Sequence, residues 1–134
     1  MTDLPADTLA RLRAVCLALP DAYEETAWVG TRWRVRQRTF AHALVIRDRR
    51  PEAYATAAGT DGPAGVLTFR VGDEEFAALG HMGHPYFVAN WGREIGGVVL
   101  DDFDDWDEIA DLLSESYCLV APDKLVRQVD RPPP

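Results

Sequence analysis

The chain has 134 residues, 47% of them hydrophobic, and a formal net charge of −8. A chain of this length builds one core without a metal or a disulfide framework, and two cysteines, Cys16 and Cys118, are too few for such a framework. The acidic total argues against broad, non-specific binding to nucleic acid, which runs on cationic charge, yet leaves room for a local basic face.

That charge is unevenly spread. Residues 1–72 hold 10 Lys and Arg against 8 Asp and Glu, whereas residues 73–134 hold 4 against 14. Met1 to Pro5 shows neither a basic start nor an apolar run, and no stretch approaches the roughly twenty apolar residues of a membrane helix. The expectation is a cytoplasmic protein that does not contact membranes. A single domain is expected over 1–128, with a flexible tail over 129–134.

Leu9, Leu12, Cys16 and Leu19 recur at intervals of three and four, which predicts a helix over about 5–18 that Pro20 ends. From Tyr23 to Ile46 the pattern turns to alternation and predicts a meander of about three strands, with turns near Gly30-Thr31 and Gln37-Arg38. Residues 47–64 read as helix or loop ending in a turn at Gly59–Pro63. A strand follows over Gly65–Val71, with Leu67, Phe69 and Val71 on one face and Arg70 on the other. A short helix is expected near Asp73–Leu79, a loop over Gly80–Pro85, and strands over Tyr86–Ala89 and Ile95–Leu100. The clearest helix runs from about Asp105 to Tyr117 on the stripe Trp106, Ile109, Ala110, Leu113 and Tyr117, and a last short one starts at Pro122. This order gives the α+β class, an antiparallel sheet of about five to six strands with helices packed on one face.

Most candidate chemistry has a structural explanation. The acids Asp101, Asp102, Asp104, Asp105, Asp107 and Glu108 lack the glycine bend of a calcium loop, and Asp102 or Asp104 is expected to cap the helix that follows. His81 and His84 form a His-x-x-His without the further ligands that zinc requires, so no metal is expected. Ser114 and Ser116 lie inside an amphipathic helix, Cys16 lies on an apolar helical face, and no phosphate-binding glycine loop is present. The sequence therefore predicts no catalytic residues and no cofactor.

One constellation remains. Arg32, Arg34 and Arg36 alternate with Trp33 and Val35, so the cations share one strand face; Arg70 joins them across the sheet, and Arg47 closes the neighbouring strand. Two readings stand. Either this is a solvated face whose arginines pair with Glu24, Glu25 or the acidic C-terminal half, or its guanidinium forks hold phosphate or carboxylate groups.

The same residues carry a family resemblance. Leu19-Pro20-Asp21, Glu24-Glu25, Trp28-Val29-Gly30, Trp33-Arg34-Val35 and Arg38-Thr39-Phe40-Ala41 resemble the opening of the MmcQ/YjbR family. Ser114-Glu115-Ser116-Tyr117 and Leu119-Val120-Ala121-Pro122-Asp123-Lys124-Leu125 resemble its ending, and the Asp105-Trp106-Asp107-Glu108 helix start fits as well. Two departures stand out: Gln37 occupies a hairpin position where similar proteins carry glycine, and Ile95-Gly96-Gly97 opens a strand where an aromatic is common. The resemblance implies a CyaY-like fold and a DNA-binding label, with no catalytic residues to transfer. The function expected is a non-enzymatic binding domain for DNA through Arg32, Arg34, Arg36, Arg47 and Arg70. The alternative is a protein-interaction domain whose acidic helix, Asp101–Glu115, meets a basic partner.

Overall fold

Strict alternation sorts the side chains of β2 (Thr31–Val35) onto two faces. Trp33 and Val35 are fully buried, while Arg32 and Arg34, which alternate with them, stay partly exposed. A computed structural model describes residues 4–129 and extends this rule across a six-stranded antiparallel sheet. The other strands are β1 (Tyr23–Thr26), β3 (Arg38–Ile46), β4 (Ala64–Arg70), β5 (Tyr86–Asn90) and β6 (Glu94–Val99), in the order β1-β2-β3-β4-β6-β5. The helices are α1 (Ala6–Leu17), α2 (Glu52–Ala58), α3 (Asp73–Met82), α4 (Trp106–Val120) and α5 (Asp123–Val126), with a single 3-10 turn at Leu100–Asp102. The protein is thus an α+β domain, as its sequence order implies.

One sheet face and the helices laid on it make the main core. Leu12 and Cys16 of α1, with Ile109, Leu113 and Tyr117 of α4, meet Trp33, Val35, Ala41, Leu67, Phe69 and Val98. Each fully buried Leu or Phe among them contributes about 1.5–3 kcal/mol relative to an exposed one. Polar ties fix the ends: the Trp33 indole N–H donates to Glu24 at 2.9 Å, and the Tyr117 hydroxyl donates to the Pro20 carbonyl at 2.7 Å.

The opposite face is only half covered, and the cover is a helix the sequence left undecided. Leu44, Ile46, Ala64, Val66, Phe87 and Val99 form a second cluster with Ala55 of α2, so α2 packs on the side away from α1 and α4. A seven-residue helix is too short to close the sheet. The remainder of that face stays open.

Several boundaries depart from the sequence reading. α3 runs on through Gly80, His81 and Met82, residues expected in a loop, because Leu79 is buried and the helix keeps its docking on β5 and β6 to Gly83. α4 is capped by Asp105, whose carboxylate accepts from the Glu108 amide at 3.1 Å, and not by Asp102 or Asp104. Asp101 instead accepts from the Gly65 amide, and Asp102 faces His84. The β2–β3 hairpin turns on Arg36 and Gln37, both at positive φ (50° and 65°), so Gln37 takes the left-handed conformation without glycine. Of the expected tail, Val129 packs on the main core, and residues 130–134 lie outside the described residues.

Candidate functional site

The open half of the second face gathers cations at one end of the sheet. Register pairs Arg32 with His42, Arg34 with Thr39 and Arg70 with Ile95, and alternation puts all three arginines on the side opposite Trp33 and Phe69. The β2–β3 hairpin, the end of β4 and the β5–β6 hairpin meet at this end, bringing in Arg38 at the start of β3 and Arg93 in the turn before β6. The charges acting on Arg70 are those of Arg93 and Arg38. Together with burial, which is the larger influence, they hold its guanidinium below the ordinary arginine range.

Carboxylates neutralise one flank of this face and leave the other. Glu25 of β1 bonds Arg32 and lies 3.3 Å from Arg34, whose other terminal nitrogen donates to the Gln37 carbonyl. These guanidinium groups hold the Glu25 carboxyl below its usual range, Arg32 foremost. Among the described residues Arg38, Arg70 and Arg93 make no ion pair. The Nε atoms of Arg34 and Arg70 are both shielded from solvent without a hydrogen-bond partner. A buried N–H without an acceptor costs about 1–3 kcal/mol.

Arg36 and Arg47 do not join the group. Arg36 sits in the hairpin turn and pairs with Asp21 at 3.0 Å. Arg47 lies past the far end of β3, beside a cleft of about 450 Å³ that includes Val45, Gly65 and Asp101. Alternation places Arg32, Arg34 and Arg70 correctly, but it ends where β2 turns. Arg38 and Arg93 carry no such signal, because no periodicity links a hairpin tip to a strand 23 positions earlier.

Aromatic side chains frame the open patch. His42 donates from Nε2 to the Val29 carbonyl at 2.6 Å, which leaves Nδ1 to accept from the Tyr54 hydroxyl at 3.1 Å. Tyr54 in turn packs against Trp91, centroid to centroid 4.8 Å. Trp91 is 41% exposed and Trp28, beside Val29, is 93% exposed. Neither tryptophan carries a sequence signal for exposure.

The acids occupy the other side. Glu75 of α3 lies near Glu108 and Glu115 of α4, and burial followed by these like charges holds its carboxyl above the usual range. Glu108 accepts from Tyr86, whose hydroxyl is pushed up to about 12, mainly by burial. Asp73 likewise holds the carboxyl of Glu94 beside it above the usual range. The net charge of −8 therefore hides a division, with carboxylates toward the helices and arginines on the bare sheet. His84 lies 2.8 Å from Asp102 while His81 lies in the last turn of α3, and among the described residues no group of three or more His, Cys, Asp or Glu could hold a metal.

An antiparallel sheet with helices on one face and arginines on the bare remainder of the other defines a small α+β domain. The chain belongs to the YjbR family, whose profile matches residues 17–119. Its fold is similar to that of the crystal structure of Deinococcus radiodurans protein DR2400, of domain DUF419. The TM-score is 0.63 and the identity 20%, over 90% of this chain and 86% of that one. No curated protein matches the chain.

Proposed function

We propose that this protein is a non-enzymatic binding domain that takes nucleic-acid phosphates on the bare sheet face, through Arg70 with Arg34, Arg38 and Arg93. The observation that carries the reading is the Arg70 guanidinium, which feels two further cations, Arg93 and Arg38, and makes no ion pair among the described residues. A phosphate supplies the missing negative charge, in the geometry a planar guanidinium matches.

Titration of labelled DNA at low and moderate salt tests the reading. Affinity falls steeply with salt because bound phosphates release counterions, and Arg70→Ala makes that dependence shallower. An absence of binding at both salt levels, or binding indifferent to Arg70→Ala with Arg93→Ala, would refute it.

A second reading is favoured by the groove between α3 and α4. There Asp73, Glu74, Glu75 and Glu115, with Arg70 also in the lining, surround Leu112 and Leu119, and Leu119 is 51% exposed. Such a rim suits a basic protein segment with an apolar anchor. Partner capture that vanishes with Leu119→Ser but survives Arg93→Ala supports this reading, and the converse pattern supports the first.

A further inference from the structure

The arginines explain how a phosphate is held, but not why an indole stands beside them. Trp91 occupies the β5–β6 hairpin turn two positions before Arg93, whose charge acts on Arg70. Its amide donates to the Arg93 carbonyl at 3.1 Å, and the Gly92 amide donates to the Asn90 side chain at 3.2 Å, so the tip is fixed. Gly92 has φ +80°, a conformation that holds the turn open to a glycine.

The ring is also supported from behind. Tyr54 packs against it at 4.8 Å with a 57° tilt. Tyr54 is itself held by its hydrogen bond to His42 and an edge-on ring contact of 5.7 Å. His42 is anchored on the Val29 carbonyl, next to the nearly bare Trp28. Burial holds the Tyr54 hydroxyl in its protonated form, as donation to His42 requires. This chain of contacts, Val29–His42–Tyr54–Trp91, spans the open face from the β1–β2 loop to the β5–β6 turn. A propped indole loses little freedom when a flat group stacks on its exposed side.

We infer that the face selects single-stranded nucleic acid, with an unpaired base stacked on Trp91 while Arg93 and Arg70 hold the adjoining phosphate. The inference rests on the phosphate-binding reading above and narrows it. Bases inside a duplex are covered on both faces by their neighbours and offer nothing to an exposed ring, whereas an unpaired base has a free face. Cations beside a propped aromatic are the combination that tracks a single strand without reading its sequence.

Three labelled probes of equal length decide the matter: oligothymidylate, a duplex, and an abasic strand with the same number of phosphates. The protein is expected to bind oligothymidylate about tenfold more tightly than either other probe. Trp91→Ala removes that advantage and leaves abasic affinity unchanged, and Trp91→Phe retains most of it. Equal affinity of the wild-type protein for all three probes, which needs no variant to fold, overturns the single-strand inference while the phosphate reading stands. A Trp91→Ala change that weakens all three alike does the same. Binding to none of the probes overturns both.

Discussion

The side-chain oxygen of Ser116 lies 2.5 Å from the carbonyl oxygen of Phe40, 76 positions earlier in the chain. Ser116 is fully buried in α4, and the same oxygen accepts from the Arg70 amide at 2.8 Å. Pairing of β3 with β4 runs from Ala41 opposite Phe69, and the β2–β3 ladder shifts register between Trp33 and Arg34. Where the β3–β4 ladder gives out, a helix hydroxyl takes over both strand groups. The end of β4, and with it Arg70, is therefore positioned by α4 from the opposite side of the sheet.

Ser116→Ala leaves a buried carbonyl and a buried amide unpaired, and is expected to cost about 1–3 kcal/mol of stability in urea denaturation. Ser114→Ala, at a half-buried position on the same helix, is expected to stay within about 0.5 kcal/mol. Equal effects of the two would remove the bridging role from Ser116.

His42 gives the protein a pH dependence with a definite sign. Burial holds its pKa below the ordinary value, the Val29 carbonyl opposes that shift and the Arg32 charge adds to it. With a folded pKa below the unfolded value of about 6.5, the unfolded chain binds more protons between the two. The contribution of His42 is thus present above about pH 6.5 and is lost as pH falls through the folded pKa. An NMR titration should place the His42 midpoint below 6.5, and His42→Gln should flatten the fall in stability just below that pH. A midpoint at or above 6.5 contradicts the packing around this ring.

Gly97 in β6 faces the ring of Phe87, and a Cβ built there would overlap three of its carbons. Gly97→Ala is expected to cost about 1–3 kcal/mol by overpacking, with part recovered when Phe87→Leu accompanies it. Gly96 faces Leu79, Phe69 and Val71 on the other side, so two adjacent glycines let β6 lie flat between two packed layers. This is why Ile95-Gly96-Gly97 begins a strand without an aromatic residue: the ring is supplied by Phe87 from β5.

Where side-chain periodicity was undisturbed, the sequence was readable. Trp33 and Val35 against Arg32 and Arg34, and Leu67 and Phe69 against Arg70, fall on the faces that alternation assigns. The same holds for Leu12 and Cys16 on α1 and for Ile109, Leu113 and Tyr117 on α4. Legibility failed where long-range placement decides. The strand order puts β6 between β4 and β5, which carries Arg93 to Arg70 and Trp91 to Tyr54, and no local pattern encodes either meeting. The alternation stops one residue short of Arg36, which lies in a turn whose positive φ redirects its side chain to Asp21.

Glu25 occupies the position an incoming phosphate would share with Arg32 and Arg34. Glu25→Gln releases both guanidinium groups, and if the face binds nucleic acid, DNA affinity at low salt is expected to rise several-fold with a steeper salt dependence. Unchanged or weaker binding would place the occupied surface away from β1.

Cys16 has zero exposure, sits where α1 crosses the sheet, and has its thiol pushed far up by burial, with the Glu24 charge adding to the shift. An alkylating reagent attacks only a thiolate it can reach, so this sulfur is silent while α1 is docked. Its labelling rate then acts as an internal clock that counts how often the first helix lifts away from the sheet.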